Sequence, residues 1–161
     1  MYSIDAVDLF SITRWQNYLQ RISVASQDVY FSPEYYKLYE EIDDGKAKCF
    51  VFQKDNDTII YPFLINSINS LGYDLDKDYY DIQGAYGYNG IITSTESEKI
   101  LSEFHEAFTS YCNATNIIAE FTRFHPLLKN ERYANNGMTI IKDRETVFID
   151  LTKTYSDIWK Q

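Results

Sequence analysis

Early in the chain the apolar positions recur every three or four residues. Ile12, Trp15, Leu19 and Ile22 share one helical face, which predicts a first helix over about residues 11–22. Ser32 is a natural N-cap, and Pro33 stands at the first helical position, where a missing N–H costs nothing. The second helix runs on to about Ile42 with Tyr35, Leu38, Tyr39 and Ile42 on one face, and Gly45 ends it. Two strands follow, Lys48–Lys54 and Thr58–Ile65, joined as a hairpin through Asp55-Asn56-Asp57. Both faces of this hairpin carry apolar residues, so it belongs at the centre of a sheet.

Residues 67–78 read as a polar loop. Strand-like Tyr79–Ile82 and Asn89–Ile92 then flank Gln83-Gly84-Ala85-Tyr86-Gly87-Tyr88. Thr95-Glu96-Ser97-Glu98 has the form of a capping box and opens a long helix over about residues 96–112, with Ile100, Leu101, Phe104, Ala107, Phe108 and Tyr111 on its apolar face. Ile117–Phe121 is the next strand, Arg123-Phe124-His125-Pro126 a turn, and Leu127–Tyr133 a short helix. Asn136-Gly137 is a turn, leading into a second hairpin of Met138–Ile141 and Glu145–Leu151. Thr154, with Asp157 three residues on, then starts a new helix in which Ile158 and Trp159 are the first apolar residues and no stop signal follows. The expectation is a truncated chain: a domain over residues 1–151, and in residues 152–161 the start of a helix leading to a missing second domain.

At 161 residues and 45% hydrophobic content, the chain has the size and composition of one folded domain rather than a disordered segment. The formal charge of −9 argues against a broad nucleic-acid surface, which needs clustered Lys and Arg. The N-terminus lacks the apolar run of a signal peptide, and no stretch is apolar enough to span a membrane, so the cytoplasm is the expected compartment. Cys49 and Cys112 have no metal-type spacing and read as small core residues. The 15 tyrosines suit a half-buried face or ligand groove, because each ring is apolar with a polar tip.

Certain segments carry a resemblance. Phe31-Ser32-Pro33-Glu34-Tyr35-Tyr36, Tyr86-Gly87-Tyr88-Asn89-Gly90, Glu120–Leu128 and Glu145–Leu151, taken in order, resemble the N-terminal half of FemAB-like aminoacyltransferases and related GNAT-like N-acyltransferases of cell-envelope synthesis. The likeness covers most of the chain and rests on order and spacing. It implies an α/β (α+β) fold with a GNAT-like central, mixed but mostly antiparallel sheet and helices on both faces. It further implies an acceptor-binding half of a transferase that modifies an amine on a peptidoglycan or surface-polysaccharide precursor. The partner would be a second GNAT-like half of the same chain. Aminoacyl-tRNA or acyl-CoA would be a co-substrate of the full-length protein, with no cofactor in this fragment. Other readings are a degenerate, non-catalytic GNAT-like module for a protein or glycan, and a small CoA-dependent N-acetyltransferase.

GNAT enzymes hold a pyrophosphate on a glycine-containing loop just before a helix, where backbone N–H groups meet a positive helix end. Here Gln83, Gly84, Gly87 and Gly90 lie in that region, but Tyr86 occupies the place of the first loop glycine, and Glu96 and Glu98 crowd the helix start. Tyr86, Tyr88 and Asn89 read either as a ligand-facing loop or as an irregular strand needing glycine. Arg123 follows a strand end, where its guanidinium can grip a phosphate or carboxylate, or simply pair with an acidic side chain. His125, before a proline, is the weak candidate for a general base and equally a structural turn residue. Tyr86, Tyr88, Asn89 and Arg123 are the expected substrate-binding residues. The carboxylates Glu40, Glu41, Asp43 and Asp44 read as a solvated helix end, and no metal site is expected.

Overall fold

A computed structural model describes residues 1–135 and 137–160. The chain is a mixed α/β protein with a six-stranded, mostly antiparallel open sheet. Its first element is a strand, β1 (Tyr2–Asp8), ahead of the first helix and outside every element the sequence predicts. Tyr2, Ile4 and Ala6 alternate with Ser3 and Asp5 as in a strand, but that apolar face stays exposed and only Val7 is buried. β1 is held instead by antiparallel pairing with β2 (Lys46–Lys54) over its whole length.

Helices α1 (Ile12–Leu19) and α2 (Pro33–Glu41) fall where periodicity puts them. The Ser32 hydroxyl accepts the Tyr35 N–H at 3.3 Å, the N-cap bond expected of serine before proline. β2 and β3 (Asp57–Ser67) form the central hairpin, with Asp55 in the left-handed region (φ 54°) at the turn. β4 (Tyr80–Gln83) pairs antiparallel with one end of β3, and the two-residue β5 (Ile92–Thr93) with the other. Pro62 stands between those two stretches and brings no N–H to the sheet; its carbonyl is taken by the Tyr36 hydroxyl at 3.0 Å. α3 (Glu98–Ala114) leads into β6 (Ile117–Phe121), which pairs parallel with β4. The resulting order is β1-β2-β3-β4-β6, with β5 on β3 beside that path.

Side chains alternate across a strand. Ala47, Cys49 and Val51 of β2 therefore face one way and pack with Trp15 and Tyr36, under α1 and α2. Phe50 and Phe52 face the other way and pack with Phe104 and Phe108 of α3. The helices thus cover both faces of the sheet.

Three expected features form differently. Thr95 caps locally, its hydroxyl accepting the Ser97 N–H at 3.3 Å, and α3 begins at Glu98 without a side-chain cap bond, so the capping box is not made. The short helix is one tight turn, Asn130–Tyr133. The second hairpin does not form. Of its parts, Asn136 of the turn lies outside the described residues, while Met138–Ile141 and Glu145–Leu151 have no strand partner among the described residues. Val147, Phe148, Ile149 and Leu151 are all exposed there, so strand-like composition finds no sheet edge to bury it. Beyond it α4 (Tyr155–Ile158) is a single exposed turn after Thr154. Among the described residues no helix is long and apolar enough to cross a membrane.

Candidate functional site

β4 and β6 run parallel and end at Gln83 and Phe121. The chain continues past both ends, and the two continuations meet. Asn89 forms a parallel bridge with Phe124, its N–H donating to the Arg123 carbonyl at 2.6 Å. The Tyr86–Gly90 and Arg123–Pro126 segments, 37 residues apart from Tyr86 to Arg123, thus become one surface. Gly87 and Gly90 have φ of +108° and +107°, conformations that a side chain strains to adopt. A Cβ at Gly87 would also strike the Tyr30 ring.

The residues singled out from sequence play different parts on this surface. Tyr86 is 73% exposed, and its carbonyl accepts the Tyr35 hydroxyl at 2.6 Å. Tyr88 is half-buried, edge-on to Tyr30 at 5.4 Å between centroids and 5.0 Å from the His125 ring. Its hydroxyl lies 3.4 Å from Thr146 Oγ1. Tyr30, Tyr35 and Tyr39 extend the patch, with Tyr35 and Tyr39 hydroxyls 3.1 Å apart. Burial first, and then the bond to Tyr39, push the Tyr35 phenol above its ordinary pKa, so it stays a neutral donor. Arg123 is exposed, and no ion pair to it occurs among the described residues.

Asn89 and His125 lie beneath that surface. The Asn89 side chain is fully buried; Oδ1 faces the Tyr36 hydroxyl at 3.2 Å, and Nδ2 has no partner among the described residues. Its carbonyl accepts Asn130 Nδ2 at 2.9 Å. His125 is 4% exposed. Its Nδ1 accepts the N–H groups of Leu127 and Leu128, each at 3.2 Å, which places the ring proton on Nε2, 3.4 Å from Asp28 Oδ2. Both ring nitrogens are thus engaged within the fold.

A separate cavity of about 280 Å³ opens on the α3 face of the sheet, between α3, β6 and the loop after β6. Its apolar wall includes Ile82, Phe104 and Phe108. Its polar groups include Tyr61, Glu120 and Thr122: the buried Tyr61 hydroxyl lies 2.5 Å from Glu120 Oε1 and 2.6 Å from Thr122 Oγ1. Burial first, and then the Glu120 charge, hold the Tyr61 phenol well above its usual pKa. His105 Nε2 donates to the Tyr133 carbonyl at 2.9 Å, and burial lowers the imidazole pKa, keeping it neutral. Burial first, then Glu120, push the Cys112 thiol up to about 12, which favours the thiol over the thiolate at neutral pH.

Sequence reasoning passed over Tyr61, His105 and Glu120. The usable signal was faint: a tyrosine within the continuous apolar run of β3 and a glutamate within β6, whose meeting depends on the β3–β4 and β4–β6 registers together. No group of three or more His, Cys, Asp or Glu side chains fit to hold a metal ion occurs among the described residues. No protein-family model matches the chain, and no curated protein or solved structure matches it.

Proposed function

We propose that this chain is the acceptor-binding half of an acyl or aminoacyl transferase with a GNAT-like fold, acting on an amine of a peptidoglycan or surface-polysaccharide precursor. One observation carries the reading. The parallel pair β4 and β6, connected through α3, delivers the Tyr86–Gly90 loop and Arg123 side by side beyond their C-terminal ends. Ligands of open α/β sheets bind outside such ends. The helices on both faces and, among the described residues, one parallel strand pair in an otherwise antiparallel sheet fit the same family likeness.

On this surface the Arg123 guanidinium is available for a carboxylate or phosphate of the acceptor, bidentately. Tyr86 and Tyr88 offer ring faces with hydroxyl tips. Asn89 and His125 hold the loop from below. Transfer to an amine from an already activated ester needs orientation and polarisation more than a strong base. The donor, an aminoacyl-tRNA or acyl-CoA, would be supplied against a second GNAT-like half. Direct CoA binding by this half is disfavoured by Glu98 in the first turn of α3, a carboxylate where a pyrophosphate would need the positive helix end.

A second reading, a non-catalytic module for a protein or glycan, is favoured by the engagement of both His125 ring nitrogens. Calorimetric titration with a stem peptide bearing a free side-chain amine separates the two. The transferase reading expects micromolar binding that Arg123→Ala weakens about tenfold to a hundredfold, as loss of a charge-assisted hydrogen bond does. It also expects weaker binding once the amine is acetylated. Binding indifferent to acetylation supports the module, and no binding, or binding indifferent to Arg123→Ala, sinks the acceptor site.

A further inference from the structure

We infer that the cavity between α3 and β6 is a binding site for a small organic ammonium ion with an apolar, preferably aromatic, body. The inference rests on this cavity and not on the transferase reading. Among the described residues the lining contains no lysine or arginine and has one carboxylate, Glu120. Glu120 is pre-set by its neighbours. Tyr61 and Thr122 both bond Oε1, at 2.5 and 3.2 Å, while Oε2 has no partner among the described residues. One oxygen therefore fixes the carboxylate and the other is left to accept a donor. Glu120 is itself exposed, at the open side of the cavity, so a cation entering from solvent reaches Oε2 directly, and the apolar wall beside it makes that contact worth more than one surrounded by water.

The rest of the wall suits the body of such a ligand. Tyr61 and Phe108 meet edge to face at 5.2 Å, and Phe104 stacks on Phe108 at 6.0 Å, giving a connected aromatic wall. Aromatic faces attract cations as well as apolar groups. His105, neutral at pH 7, adds no positive charge to oppose the ligand. An anionic ligand would meet the Glu120 charge with no base to offset it. At about 280 Å³ the space lies at the small end of ligand pockets and suits a single ring on a short ammonium-bearing tail.

The test is calorimetric titration of the whole chain with 2-phenylethylammonium and with its neutral isostere 2-phenylethanol. The expected result is a preference of about tenfold or more for the ammonium ion, the size a hydrogen bond to a charged group contributes. Glu120→Gln should erase the preference while leaving the weaker binding of the alcohol. Tyr88→Ala, on the other surface, should change neither. Equal affinity for both probes in the native chain, no binding of either, or a preference that survives Glu120→Gln overturns the proposal. Loss of the preference in Tyr88→Ala would move the site to the tyrosine surface and overturn it equally. If Glu120→Gln did not fold by circular dichroism, the native chain's preference and its perturbation of Phe108 and Tyr61 ring resonances would still decide.

Discussion

The Tyr36 hydroxyl lies 3.2 Å from Asn89 Oδ1, and both side chains are fully buried. The same hydroxyl is 3.0 Å from the Pro62 carbonyl, so one phenol ties α2, the centre of β3 and the loop after β4 together. A single hydrogen serves two acceptors here, and both lie out of reach of bulk water.

Tyr36→Phe should therefore cost more than one exposed hydrogen bond. It leaves the Asn89 amide with neither end partnered, beside a bare Pro62 carbonyl. The expected loss is about 1–3 kcal/mol, the desolvation penalty of buried polar groups left unmade. Urea unfolding followed by tyrosine fluorescence reads it as a lower midpoint with an unchanged slope. A midpoint equal to that of the native chain would mean that the Tyr36 hydroxyl does not hold the loop.

Gly87→Ala strikes the same surface from its outer side. The residue sits at φ +108°, and the new methyl would meet the Tyr30 ring. Strain of this kind costs on the order of 1–3 kcal/mol, and Tyr30 must turn away from Tyr88 to relieve the contact. The expected outcome is loss of stability together with a shift of Tyr30, Tyr35 and Tyr88 ring resonances, while Phe104 and Phe108 on the opposite face keep theirs. If the rings of α3 moved as well, the two faces would be more tightly coupled than their separate clusters imply.

How far the sequence spoke depended on the kind of signal. In β2 alternate apolar residues serve two faces, Cys49 and Val51 on one and Phe50 and Phe52 on the other, and that pattern is legible by eye. β1 was passed over although Tyr2, Ile4 and Ala6 alternate with Ser3 and Asp5, because the run is short, acidic and terminal; its apolar face stays exposed, so edge pairing and not burial makes it a strand. The Glu145–Leu151 run has the composition of a strand yet pairs with nothing, since composition states a preference and not a partner. The meeting of Asn89 with Arg123 was only suggested by both following strand ends. Tyr61 and Glu120, 59 positions apart, meet through sheet register, which no local pattern encodes.

His105 gives the fold a pH dependence with a definite sign. Burial lowers its folded pKa below the ordinary value of 6.5, and the bond to the Tyr133 carbonyl only partly offsets this. Above that value the imidazole is neutral in folded and unfolded chains alike and contributes nothing. As pH falls through it, the unfolded chain takes up the proton first, so stability falls until the folded pKa is reached. His105→Gln should remove this slope. The difference in urea midpoint between variant and native chain should shift in favour of the variant from pH 7.5 to pH 5. A constant difference would show that the folded imidazole titrates normally.

The segment from Met138 to Lys153 should be the first to yield to a protease. It holds no helix or strand, Val147 and Leu151 are 93% and 82% exposed, and Thr146 meets the rest of the fold through a long 3.4 Å contact with the Tyr88 hydroxyl on the loop after β4. Cleavage requires a backbone that can leave its surroundings, and few buried contacts resist that here. Trypsin at low ratio should cut first after Lys142, Arg144 or Lys153, as mass spectrometry of early fragments would show. Lys46, Lys48 and Lys54 should survive, because β2 is paired on both sides by β1 and β3. The trimmed chain should keep its circular dichroism, since both buried clusters lie wholly within residues 7–133. Protection of the segment would instead favour the hairpin that its composition suggests, with Val147 and Ile149 covered. First cuts within β2 would mean that the central hairpin opens more readily than its pairing allows.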